Sequence, residues 1–287
     1  MRIKKHQDQG FLPMVIAMFG FAFFSATILS GRILGESLES KRFLTTLLFG
    51  VIIACIYTGL LAYITGNTSV STHSLACYSF GRKGAYLVSF LLGATQVGWF
   101  GIGIGTIGVG VTSGLIENVP VESMGMTTAI AVCVGSMIST GTLIPDLIRI
   151  FKNKKSPVTT REFTILLGSS FLVGFGIIGV IIIGQISMTR VIMGWLRLVN
   201  ILIPSIGGVI MADYYIIRKG NYIPIKNMLF TSLNKVAIGA WLLGAMAAYF
   251  LPGIAPMNTV VGAIIAYVAL TKLSKMTQTE IGMQNRM

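Results

Sequence analysis

"GAYLVSFLLGATQVGWFGIGIGTIGVGVT", residues 84–112, decides the fold. It holds no charged side chain and is long enough to cross a hydrocarbon core of about 30 Å, which takes roughly 20 helical residues. Comparable runs recur near 12–34, 43–65, 127–150, 164–186, 192–216, 235–252 and 254–272, making eight with this one. The chain is 54% hydrophobic and 11% charged, whereas soluble domains carry about 25% charged residues. Within lipid a backbone must satisfy its own polar groups, and single runs of this length do so as helices. The expected fold is therefore an all-α polytopic membrane protein, with one transmembrane domain over residues 1–287.

A net charge of +13 raises the question of nucleic acid. The basic residues, however, sit in short loops between apolar runs and form no groove or aromatic-interleaved patch, so no nucleic-acid partner is expected. With the N-terminus inside, 17 of the 22 Lys and Arg residues fall on the inner side, including Lys152, Lys154, Lys155 and Arg161. Arg32, Lys41, Arg42, Arg190 and Arg197 fall outside. That bias orients both termini towards the cytoplasm. The opening "MRIKKHQDQG" could begin a signal peptide, but the apolar run after it is long, lacks a small-x-small cleavage site and precedes further spans. It reads as a retained first helix.

Within 84–112, Thr95, Gln96 and Trp99 form a polar turn hemmed by glycines. Gln96 and Trp99, three residues apart, share a helix face. An amide that both donates and accepts, beside a broad aromatic plane, suits the edge and face of a flat heterocycle. The alternative is that Gln96 bonds a neighbouring helix and Trp99 merely packs. Gly103, Gly105 and Gly108 spell G-x-G-x-x-G, but that motif binds dinucleotides only between a strand and a helix. In a membrane span these glycines instead allow close helix approach.

Two further spans are polar at mid-depth. The first, "MFGFAFFSAT", holds Gly20, Phe23, Phe24 and Ser25; the fourth, "VGSMISTGTLIPD", holds Ser136, Ser139, Thr140, Thr142 and Pro145. Gly- and Pro-interrupted spans mark discontinuous helices whose freed backbone groups bind substrate and ions. The alternative is serine and threonine bonding back to their own helix. Pro252 and Gly253 should separate the last two helices, and "SVSTHSLACYSFGRKG" between spans two and three can form a short interfacial helix.

Asp146 lies three residues before Arg149 and reads as half of a local ion pair. Asp213 reads as interfacial, near the inner end of its span. His6 and His73 lie in a tail and a loop and carry no chemistry in this reading. Cys55, Cys77 and Cys133 show no pairing for metal or disulfide. With no catalytic constellation, the chain does not read as an enzyme, and no cofactor is expected.

"FGFAFFSAT", "STHSLACYSFGRKGAY", "GATQVGWFGIG", "VGSMISTGTLIPDLIR", "IPSIGGVIMADYY" and "LPGIAPMNTVVGAIIAYV" follow one another along the chain. Together they resemble the cytosine permeases of the nucleobase–cation symporter-1 family. The resemblance implies cation-coupled nucleobase uptake across the cytoplasmic membrane, with sodium as the coupling ion and cytosine as the leading substrate. It also implies a fold with two inverted five-helix repeats. Carried over by residue, Trp99 would stack on the base and Gln96 would hydrogen-bond it. Phe24 and Ser25 would line the pocket and cation site, and Ser139 would offer polar groups where a helix unwinds. A second stacking aromatic falls at Met137, whose sulfur contacts a ring less rigidly. Helices resembling the family's fourth, fifth, eighth and ninth are missing. A homo-oligomer is one way to complete the walls. The competing expectation is a shortened member that binds or partners without transport, or a decayed product.

Overall fold

A computed structural model describes residues 25–68, 70–113, 125–135, 138, 142–143, 188–222 and 230–284. Among these residues the structure is helical, without strands. Helix α1 spans Ser25–Ser37, α2 Ser40–Thr68 and α3 Thr72–Ser113. Helix α4 is Met126–Gly135, and α5 is Met188–Met211 with a π-helical extension, Ala212–Ile217. Helix α6 spans Lys235–Phe250 and α7 Ala255–Gln284. The fifth expected span, 164–186, lies outside the described residues.

Among the described residues, four stretches are long and apolar enough to cross a membrane: Ser40–Thr68, Thr72–Gly103, Ile192–Ile217 and Ala255–Ser274. Helix α6 has 16 residues, a rise of about 24 Å, less than the core thickness. Its end at Phe250 comes just before Pro252, which cannot extend a helix, and Gly253 at φ 119°. Burial is inverted relative to a water-soluble domain. On α2, Leu44, Leu48, Phe49, Ile56 and Tyr63 are exposed, while Thr46 and Thr65 are buried. An apolar exterior over a partly polar interior is what lipid selects.

Helices α5, α6 and α7 pack most closely, because small residues remove the side-chain layer between them. A Cβ on Gly244 of α6 would lie 2.6 Å from the Ala263 Cβ of α7, and one on Gly262 would lie 2.8 Å from the Ala247 Cβ. On α5, a Cβ at Gly208 would meet the Val260 carbonyl at 2.7 Å.

Helix α3 is two helices joined at Gly81, whose φ 78° and ψ 173° are non-helical. The stretch with the expected short helix thus forms the first arm, and its Leu75, Ala76 and Phe80 are buried in the protein. Two backbone bonds dock the joint on the segment entering α6, Arg82 N–H to the Thr231 carbonyl (2.9 Å) and Lys83 N–H to the Ser232 carbonyl (2.7 Å). Asn234 caps α6, accepting from the Val236 and Ala237 N–H groups. His73 sits on this first arm rather than in a loop, with its Nδ1 2.7 Å from Ser89 Oγ.

Candidate functional site

The polar turn lies midway along α3. Thr95 is buried and its hydroxyl donates to the Leu92 carbonyl at 2.7 Å, so helix bonding accounts for this side chain. Trp99 is 7% exposed and packs among Ile33 and Leu34 of α1, Ala129, Val132 and Cys133 of α4, and Ile192 and Leu196 of α5. It is the point where three helices meet α3. Gln96 stands at the edge of the same buried face, and its Nε2 is enclosed with no hydrogen-bond partner. An unmet buried amide costs about 1–3 kcal/mol. Interhelical bonding of that nitrogen is not seen among the described residues.

Ser25 opens α1. Phe24, Met137 and Ser139 lie outside the described residues, as do Asp146 and Arg149. The structure therefore brings Gln96 and Trp99 onto one face and describes no contact between them and the other expected site residues.

Three buried polar groups on or against α5 were not anticipated from the sequence. Trp195 of α5 lays its ring directly on Gly98, where any Cβ would collide with it, and its indole N–H is buried without a partner. Asn200, also on α5, lies against Gly135 of α4 and donates through Nδ2 to the Ala131 carbonyl at 2.9 Å. Its Oδ1 is enclosed and unpartnered. Tyr57 of α2 rests on Gly207 of α5, its hydroxyl 2.7 Å from Thr142 Oγ1. An asparagine within an apolar run was the one available sequence signal, and "RLVNILIPS" contains it.

A cavity of about 360 Å³ lies between α4, α5 and the α6–α7 turn, lined by Val132, Leu196, Arg197, Asn200 and Tyr249 among others. Val132 and Leu196 also belong to the buried cluster that holds Trp99, so the cavity borders that cluster.

Asp213, read as interfacial, is instead the hub of a buried network where α5 widens into its π-turn. Its Oδ2 accepts from Arg218 Nε at 3.0 Å and from the Tyr222 hydroxyl at 2.8 Å. Its Oδ1 accepts from Tyr267 of α7 at 2.9 Å. Arg218 also donates to the Tyr78 carbonyl at 3.3 Å, and Tyr78 stacks on Tyr222 with centroids 4.1 Å apart. Burial and the adjacent carboxylate push the Tyr222 hydroxyl well above its ordinary pKa, keeping it a donor. The network ties α3, α5 and α7 together at one end. With every Asp213 contact satisfied, it reads as structural.

These features define a multi-pass, all-helical membrane protein with unmet polarity placed midway along a spanning helix. The chain is similar to the curated cytosine permeases of Escherichia coli strains K12, O6:H1 and O157:H7. Each is 28% identical over an alignment of 385 residues that covers 92% of this chain and 92% of the relative. That alignment is longer than the 287-residue chain. A substantial part of each relative thus faces no residue of this chain. No family model matches the chain.

Proposed function

We propose that the chain is a nucleobase permease of the cytoplasmic membrane, with cytosine as substrate, sodium as the coupling cation and both termini in the cytoplasm. Its base site is built on Gln96 and Trp99, with Phe24, Ser25, Met137 and Ser139 completing the walls. The observation that carries this reading is the unpartnered Gln96 Nε2 beside Trp99 in an apolar spanning helix, in a chain similar over most of its length to cytosine permeases. A buried donor without a protein acceptor is poised for a ligand carbonyl or ring nitrogen, and cytosine presents both. Trp99 offers the π-face on which a planar base stacks. In this shape the ring is covered by aliphatic side chains, so α1, α4 or α5 moves to admit the base.

The test is radiolabelled cytosine uptake into proteoliposomes under an inward sodium gradient, for the intact chain and Trp99→Ala. Saturable uptake that the variant lacks supports the proposal. No uptake from monodisperse, correctly inserted protein refutes transport.

A further inference from the structure

The cavity beside α5 has a chemistry that nucleobase recognition by Gln96 and Trp99 does not use. Its walls are apolar: Val132 of α4, Met193, Leu196 and Ile201 of α5, and Ala248 of α6. Among the described residues its one charged lining group is Arg197, which is exposed and makes no ion pair with them. Among the described residues no acidic side chain lines it. Thr127 and Thr128, also in the lining, occupy the first turn of α4, where backbone N–H groups lack helical acceptors and carry partial positive charge.

The position of the cavity is as informative as its lining. It gathers the first turns of α4 and α7, the last turn of α6 and the early part of α5, so it lies towards one end of the bundle. Tyr249, Phe250 and Leu251 stand there 72%, 75% and 51% exposed. Exposed aromatic residues at a helix end mark the headgroup level of a bilayer. Below them, the outer surface of α6 continues apolar through Leu242, Leu243 and Met246.

We propose that this cavity is a binding site for one membrane phospholipid. Arg197 holds the phosphodiester, the Thr127 and Thr128 hydroxyls bond its free oxygens, and an acyl chain lies along Val132, Met193 and Leu196. A guanidinium matches a phosphate bidentately, while the apolar walls match nothing in a free inorganic anion. The site borders the buried cluster that holds Trp99, so an occupying lipid braces the α4–α5 contact within it. This inference does not depend on the transported substrate.

The test measures phosphatidylglycerol that stays bound to detergent-purified protein, by mass spectrometry, with rebinding to delipidated protein titrated separately. Arg190→Gln is the control, since Arg190 is exposed on α5 seven residues earlier and does not line the cavity. Arg197→Gln is expected to weaken rebinding roughly fivefold, the scale of one basic residue at a lipid headgroup, and Arg190→Gln to leave it unchanged. Ala248→Trp, which fills the cavity and keeps the arginine, should also reduce retention. Equal losses in the two arginine variants would show unspecific surface attraction and overturn the site. Competition by inorganic phosphate as strong as by phosphatidylglycerol would overturn the lipid assignment. Each variant is scored only as a monodisperse peak, and Arg197→Lys, which keeps the charge, should restore part of the binding.

Discussion

Gln96→Leu separates a ligand-binding amide from one that holds helices together. The Nε2 of Gln96 is enclosed and bonded to nothing among the described residues. Leucine has nearly the same volume and no polar atom, so the substitution removes a buried group whose unmet donor costs about 1–3 kcal/mol. The apparent melting temperature in detergent should therefore stay level or rise. Binding should move the other way. Losing one neutral hydrogen bond to the base costs about 0.5–1.5 kcal/mol, or roughly two- to tenfold in Kd. The assay pairs a thermal melt followed by size-exclusion chromatography with equilibrium binding of radiolabelled cytosine. If Gln96 were interhelical glue, the leucine variant would instead lose about 0.6–2 kcal/mol of stability and keep its affinity. Lower stability with unchanged affinity would refute the reasoning.

Asp213→Ala strips the carboxylate from Arg218, Tyr222 and Tyr267; removal of one partner of a buried pair should cost about 3–5 kcal/mol. Tyr267→Phe, which removes a single bond to a charge, should cost about 1.5–3 kcal/mol, both read from thermal melts in detergent. Gly98→Ala drives a methyl into the Trp195 ring and should destabilise by about 1–3 kcal/mol. In a Trp195→Ala background the same change should be nearly neutral, a difference that a double-mutant cycle measures. Because Tyr222 is held well above the ordinary tyrosine value of 10.0, its contribution is intact below pH 10.0. It is lost as pH rises beyond that point, where the unfolded chain ionises first. Tyr222→Phe should flatten this alkaline fall in stability relative to the parent chain.

The helices were legible because their evidence is local. Length without charge over 43–65 or 84–112 requires a helix in lipid, and Pro252–Gly253 ends one without any tertiary information. The joint at Gly81 was not legible. It depends on the backbone of Thr231 and Ser232, some 150 residues away in sequence. Trp195 escaped for the same reason: a tryptophan in an apolar run looks like any packing residue until Gly98 is seen beneath it. Asp213 was misread because three of its partners, Arg218, Tyr222 and Tyr267, come together only when α5 widens and α7 returns beside it. The polar turn itself was found early because polarity inside a membrane span is costly wherever the chain folds. Which polar atom stays unmet is a property of packing alone.

That distinction divides the buried polarity of this protein into two kinds. At one end, Asp213 and its partners leave no carboxylate oxygen unbonded, and the helices they join, α5 and α7, are also in close contact through Gly208. Satisfied polarity and glycine-tight packing both favour a single arrangement. Around Trp99 the pattern reverses. Gln96 Nε2 and Trp195 Nε1 have no partner, and neither does Asn200 Oδ1. The Thr46 hydroxyl is likewise unpaired, but a hydroxyl can rotate towards a carbonyl one turn back. The Trp195 indole N–H, and the Asn200 amide held by its Nδ2 bond to Ala131, cannot. The unmet groups that rotation cannot rescue thus lie on α5, where Trp195 faces Gly98 of α3, next to the helices that must part if a base is to reach Trp99. Each costs free energy in the shape seen here and gains a partner only when something polar enters. A closed state carrying that cost is easier to open, so under the proposed transport function the α3–α5 junction, rather than the α5–α7 contact, is where movement is expected.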